Sequence, residues 1–396
     1  MNIQLIGAGP GCPETLTQLA ISKIKLADLV LTTPRLFTKL GHLNPNSKVC
    51  GLSEIEGLIH MNKNLDHIAI LASGDVGFYS LSSTLQKSLP EFQVTWTNGM
   101  SSLQTLAARM QQDYTNVRTV SVHGRDRSVV PFVSYHEHVF VLTGGAHKAH
   151  DVIQTLICAG LGAVTVTVGE NLSDEEERII SDAAVRMSDL RFDNLSVMWI
   201  YNPNCVHWTR GLKDEDFERA KVPMTKAAVR SVSLSKLDVQ PHEVVYDVGA
   251  GTGAVAISLA RQANESFVYA IEKSADAVQL IRKNRMKLGA FNLNIIQGSA
   301  PECLANLPAP DKVFIGGSSG QLTSVVEVVR KKNPKVRIVV NAITLETMQE
   351  ALDCFDQLGF KVEIQCMAVT DVEPVGRYHM MKAQNPVYVI SGENHE

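Results

Sequence analysis

Residues 243–253, EVVYDVGAGTG, followed by AVAISLARQ at 254–262, decide the fold of the second half of the chain. The apolar, β-branched run 244–248 predicts a strand, and the apolar period of 3.6 after residue 253 predicts a helix. Between them, Gly249, Gly251 and Gly253 allow a sharp turn and let a ligand lie against main-chain N–H groups at the helix start. A second strand, 267–271, ends in Glu272, where a carboxylate can accept both hydroxyls of a ribose. Gly249, Gly251 and Ala254 also satisfy the dinucleotide pattern G-x-G-x-x-G/A, so the loop alone does not identify the ligand. Asp247 discriminates. It stands just before the glycines, where it would repel a pyrophosphate and favour the ammonium and sulfonium of S-adenosylmethionine. A dinucleotide site and a ligand-free glycine turn are the weaker readings.

Outward from this loop, short apolar runs alternate with helix-length segments in both directions. They lie at 3–6, 67–72, 117–122, 139–143, 163–168 and 196–200, then at 244–248, 267–271, 293–296, 312–315, 336–341, 360–364 and 387–390. Such alternation implies βαβ units and mostly parallel sheets, an α/β protein. Residues 202–217, NPNCVHWTRGLKDEDF, interrupt the rhythm with Asn, Pro, Gly and charge. They predict a junction near 205, giving domains 1–205 and 206–396, each of ordinary size.

Composition narrows the function classes. Lysine and arginine total 37 against 41 aspartate and glutamate, a net charge of −4. That balance disfavours a nucleic-acid binder. Residues 1–11 lack the pattern of a signal peptide, and no apolar run reaches the ~20 residues of a membrane helix. Seven cysteines (12, 50, 158, 205, 303, 354 and 366) form no C-x-x-C pair. These features predict reduced thiols in a cytoplasmic protein that engages neither membrane nor nucleic acid.

Six motifs of the second half occur in order: GLKDEDFERAKVPMTK (211–226), DVGAGTG (247–253), AIEK (270–273), GSAP (298–301), VFIGG (313–317) and IVVNAITLE (338–346). Together they resemble the decarboxylating half of the precorrin-6Y methyltransferase family, a doubly wound Rossmann-like methyltransferase fold. The resemblance implies S-adenosylmethionine contacts at Gly249, Ala250, Gly251, Thr252, Gly253, Glu272 and Ala300, with Thr225 near the donor's amino-acid end; Asp247 joins them on the charge argument above. Leu212-Lys213 departs from the family's usual Ile-Pro.

The first half carries GAGPG (7–11), SGDVGFYS (73–80), NGMSSLQ (98–104), HGRD (123–126) and LTGG (142–145), each after an apolar strand. A helix is expected to begin near Pro13. Cys12 stands where a dinucleotide fingerprint wants its third glycine. This set resembles the tetrapyrrole methylases, the partner half of the same family, whose fold is two small α/β lobes. Matching positions imply donor contacts at Gly74, Asp75, Val76, Ser101 and Ser102. The family commonly has proline at Val76 and Asn98.

The resemblance implies methylation of a corrin precursor at ring positions 5 and 15, by the first and second domains respectively. The second also releases the ring C acetate carboxyl as carbon dioxide. Such a substrate is rich in carboxylates, which makes Arg125 the first expected partner, with Arg127, Arg35 and Lys226 behind it. His136 and His138, and His147 and His150, lack a third ligand at metal spacing, so no metal is expected. No catalytic acid is identified. A homo-oligomer is expected. An RNA methyltransferase is disfavoured by the acidic balance, and a binding protein with dead donor sites by the intact loops.

Overall fold

The run 245–248 is buried on both faces, as the central strand of a parallel sheet must be. Val245 joins one apolar cluster, and Tyr246 and Val248 join another. The computed structural model describes residues 1–123, 127–145, 147–206 and 211–394. The chain divides into two compact units, one of Met1–Arg127, His138–Ile153 and Thr165–Ile200 and one of Ser128–Glu137, Gln154–Val164 and Tyr201–Glu396. The second unit therefore takes two segments from the first 200 residues.

In the first unit, β1 (Asn2–Gly7), β2 (Leu29–Thr32), β3 (Ser47–Val49), β4 (His67–Ala72) and β5 (Val94–Thr97) form a parallel sheet ordered β3-β2-β4-β1-β5. A second sheet holds β6 (Arg118–Ser121), β7 (His138–Leu142), β8 (Thr165–Glu170), β9 (Arg178–Ala183) and β10 (Ser196–Tyr201), ordered β6-β7-β10-β8-β9. Its β6 and β7 run parallel, while β8 and β9 form an antiparallel pair. These are the two expected α/β lobes. The helix expected near Pro13 begins later. Pro13–Thr15 makes only a 3-10 turn, and the α-helix Gln18–Leu26 starts where the Thr17 side chain accepts the Ala20 N–H at 3.1 Å.

The second unit contains β11 (Val245–Val248), β12 (Val268–Glu272), β13 (Leu293–Gln297), β14 (Lys312–Ile315), β15 (Arg337–Ala342), β16 (Phe360–Met367), β17 (Thr370–Val375), β18 (Tyr378–Ala383) and β19 (Val387–Asn394). Seven of them form one sheet, β13-β12-β11-β14-β15-β19-β16. Its first five strands are parallel, and β19 runs antiparallel to both neighbours. Helices Ala227–Leu237 and Ala254–Gln262 cover one face, and helices Leu322–Lys332 and Leu345–Gln357 the other. This is the doubly wound fold. The strand order reverses between β11 and β14, which opens a crevice at their carboxyl ends. Among the described residues, no helix is long and apolar enough to cross a membrane.

Candidate active site

The crevice of the second unit is a cleft of about 590 Å³. Its walls come from the loops after β11, β12, β13, β14 and β15, and from residues 221–226. Of the expected contacts, Gly249, Ala250, Gly251, Thr252, Glu272, Ala300, Thr225 and Lys226 line it. Gly253 does not; it caps the helix Ala254–Gln262.

Glu272 is held from below. Its Oε2 accepts the Gly251 N–H at 2.9 Å and its Oε1 accepts the Ser274 N–H at 2.9 Å. Each oxygen keeps a further lone pair, so the carboxylate can accept two more donors such as a vicinal diol. Gly251 has φ +56°, and a Cβ there would stand 2.7 Å from the Pro223 carbonyl oxygen. The loop is therefore tight against residues 221–226, and its Gly249 and Ala250 N–H groups both donate to Ile271 O, at 3.0 and 3.1 Å.

Asp247 is not on the wall. Strand alternation turns it to the Val245 face of the sheet, where it is fully buried and neither carboxylate oxygen has a hydrogen-bond partner. Burial pushes its pKa up to about 7; the nearby Ala256 N–H, short of hydrogen-bond geometry, pulls the other way, and the Glu272 charge adds to the rise. Asp247 therefore stands in the core and not on the cleft wall. Thr252 Oγ1 and Asn341 Nδ2 are likewise buried without partners.

The first unit carries a smaller cleft of about 260 Å³. The loops after β1 and β4 are joined there by two bonds, Gly9 N–H to Gly74 O at 3.1 Å and Gly74 N–H to Gly9 O at 2.8 Å. Asp75 accepts the Gly77 N–H at 2.8 Å and the Gly99 N–H at 3.1 Å. A Cβ on Gly99 would lie 2.5 Å from the carbonyl oxygens of Gly7 and Gly74, so only glycine permits this approach. Gly74, Asp75 and Ser102 line the cleft, and Arg35 joins them. The Arg35 guanidinium is already spent on Pro10 O at 3.0 Å and Ser73 Oγ at 2.7 Å. Val76 and Ser101 lie behind the wall. Val76 is core, while Ser101 caps the helix Ser102–Met110 and exchanges hydrogen bonds with Gln104. Arg125 falls outside the described residues.

Three of the four histidine rings have local partners. His138 Nδ1 accepts the Trp199 indole N–H at 3.1 Å, His136 Nδ1 lies 3.0 Å from Phe132 O, and His150 lies 3.5 Å from Asp151.

Two family models match the chain, the tetrapyrrole (corrin/porphyrin) methylases over residues 2–184 and the precorrin methyltransferase domain over residues 215–393. A probable cobalt-precorrin-6B C(15)-methyltransferase (decarboxylating) from Pyrobaculum calidifontis is 41% identical over 186 residues, 46% of this chain and 95% of that one. The chain belongs to the decarboxylating precorrin methyltransferase family. A precorrin-6Y C(5,15)-methyltransferase [decarboxylating] from a Sinorhizobium species is 28% identical over 301 residues, covering 74% of this chain and 72% of that one. The crystal structure of a precorrin-6Y C5,15-methyltransferase from Geobacter metallireducens is 36% identical, covers 47% of this chain and 96% of that one, and has a TM-score of 0.45.

In this decarboxylating precorrin methyltransferase, two residues that carry no motif hold the 212–226 segment over the glycine loop. Arg230, only 2% exposed, donates to Leu212 O at 2.7 Å, Thr225 O at 2.9 Å and Asp214 Oδ1 at 3.2 Å. Its guanidinium also lies 5.1 Å from the Phe217 ring centroid. Asn284, fully buried, accepts the Glu218 N–H at 2.7 Å and donates to Glu218 O and Thr252 O. Sequence reasoning passes over both because their partners are mostly main-chain atoms, which leave no side-chain pattern. Lys226, on the cleft wall, stands 4.0 Å from Asp214.

Proposed function

We propose that the enzyme transfers methyl groups from S-adenosylmethionine to precorrin-6Y, or its cobalt form, at ring positions 5 and 15. The ring C acetate carboxyl leaves as carbon dioxide. The observation that carries this reading is the presence in one chain of two clefts, each walled by glycine loops at the carboxyl ends of a sheet. The first unit serves position 5, and the second serves position 15 and the decarboxylation.

S-adenosylmethionine supplies an electrophilic methyl group. The second unit fits it by its acceptors and its orphaned buried atoms. Glu272 has lone pairs for two ribose hydroxyls, the side-chain-free glycine loop 249–252 lets the ligand lie close to its backbone, and Ala300 walls the side toward β13. Asp247, whose pKa burial raises to about 7, would give up its proton when a sulfonium or ammonium binds and would then complement that charge. Thr225 completes the wall from the Arg230-held segment. In the first unit Gly74, Asp75 and Ser102 hold the donor directly, with Val76 and Ser101 shaping the loops behind them.

The meso carbons of a reduced tetrapyrrole are enamine-like nucleophiles. The protein must therefore chiefly align carbon, methyl and sulfur and exclude water. Lys226 and Arg125 are the proposed partners of substrate carboxylates. The same reading has the enzyme acting in the cytoplasm on a small molecule, apart from nucleic acid and membrane, as a homo-oligomer. Self-association is supported by the β17–β18 ribbon, whose Val372, Val375, Tyr378, Met380 and Met381 are exposed. Incubation with precorrin-6Y and with its cobalt form, followed by mass spectrometry, tests the substrate. Methyl transfer to neither form overturns the reading.

A further inference from the structure

The donor contacts of the second unit come from β11, β12, β13 and residues 221–226, yet its cleft continues past β14 to the end of β15, where Asn341 lines it. Alternation along β15 turns Asn341 to the same face as Val339, toward the helix Ala227–Leu237. Ser233 of that helix is fully buried, and its one hydroxyl proton is shared between Val229 O at 2.9 Å and Asn341 Oδ1 at 3.0 Å. The amide turns its carbonyl end to this hydroxyl, and Nδ2 is its other end.

That nitrogen is buried and has no partner. A buried N–H without an acceptor is destabilising, and such groups are rare unless a ligand completes them. The strand order is β12-β11-β14-β15, so Asn341 stands three strands from Glu272, about 14 Å at the usual strand spacing. A ribose on Glu272 with its base toward Ala300 on the β13 side points away from β15. The β15 end is left to the methyl acceptor. Its rim is mixed, with Ile343 (74% exposed) and Val387 offering apolar surface to a flat macrocycle and Gln384 and Asn385 offering amides to its polar edge.

We infer that Asn341, oriented by Ser233, binds the acceptor by donating a hydrogen bond to one of its carboxylate oxygens. The inference rests on the reading of the acceptor as a polycarboxylate tetrapyrrole. Ser233 is a positioning residue, and Asn341 sets which acceptors enter.

The test uses the full chain and cobalt-precorrin-6B as acceptor. Asn341→Asp replaces the donor with a negative charge at unchanged size, and should raise the acceptor KM about tenfold or more. Asn341→Ala should raise it less, and Ser233→Ala, which frees the amide, by about threefold with kcat little changed. Calorimetry with S-adenosylhomocysteine should give two sites per chain at the wild-type affinities in all three, which also certifies the fold of the second unit. An unchanged acceptor KM in Asn341→Asp, with wild type active, overturns the inference and leaves the proposed function standing; it would mean that the amide presents its oxygen. Loss of S-adenosylhomocysteine affinity in the variants would move Asn341 to the donor half, and also overturns it. A wild-type enzyme that does not turn over the tetrapyrrole would remove both the inference and the reading beneath it.

Discussion

Gly251 donates its N–H to Glu272 Oε2 at 2.9 Å, so the tightest turn of the glycine loop and the acid at the end of the next strand are one hydrogen-bonded unit. The bond fixes the carboxylate while the second oxygen is held by Ser274. Replacing Glu272 by Ala removes a proposed ribose anchor and orphans the Gly251 N–H. The second-unit site should lose about 10- to 100-fold in S-adenosylhomocysteine affinity, the equivalent of a charged hydrogen bond. Glu272→Gln, which keeps one acceptor, should lose less. Calorimetry that finds Glu272→Ala as tight as wild type would remove Glu272 from the donor site.

Two clefts predict two donor molecules per chain. Gly251→Arg places a Cβ 2.7 Å from Pro223 O at a φ of +56°, which a side chain resists. Stoichiometry should fall from two to one while the remaining affinity stays at its wild-type value. A stoichiometry of one in the wild type contradicts the prediction.

Asp247 makes stability depend on pH. Its folded pKa of about 7 stands above the unfolded value of about 3.9, so the folded state holds the proton more tightly. The contribution is fully present below about pH 3.9 and is lost as pH rises to about 7, a total of about 4 kcal/mol. Asp247→Asn should lack this slope. Denaturant unfolding across pH 4–8 should show the variant gaining on wild type as pH rises; parallel curves would contradict the buried ionisation. A cationic donor favours the charged form, so S-adenosylmethionine binding near pH 7 should release a proton, measurable by calorimetry in buffers of different ionisation enthalpy.

Arg230→Met keeps the bulk but releases Leu212 O, Thr225 O and Asp214 together. Breaking this buried network should cost about 2–4 kcal/mol and raise the donor KM of the second unit. Limited proteolysis should cut the 212–226 segment faster than in wild type. Unchanged proteolysis and KM would mean that the segment is held by other contacts.

Most strands of the three larger sheets were legible because parallel strands are buried on both faces and read as unbroken apolar runs, as in VVYDV and KVFI. The β17–β18 ribbon was not, because every residue of TDVEPV and YHMMKA is exposed and no burial pattern marks it. The edge strands SKV and VTWT, half exposed, carry no unbroken apolar run, and LVLT, as long as KVFI, is a buried strand that sequence reasoning passes over. At the site, Glu272 was legible from its place after a strand. The direction of Asp247 was not, since whether a strand-end acid faces the cleft or the core depends on which helices cover that face. Arg230 and Asn284 read as an ordinary surface charge and an ordinary amide until the backbone atoms they bind are in place.

The central claim is that the two units divide the chemistry, and single-site variants test it in the intact chain. Because the second compact unit includes residues 128–137 and 154–164, a cut at 205 would strip parts of it away, among them Tyr135, whose hydroxyl donates to Asn292 Oδ1 at 2.8 Å. The most direct measurement is product mass from precorrin-6Y with isotopically labelled donor, wild type beside Glu272→Ala. Wild type should add two methyl groups and release carbon dioxide, while Glu272→Ala should add one methyl group and keep the carboxyl. A variant product that carries a single methyl group yet has lost carbon dioxide, or that carries both, would contradict the account.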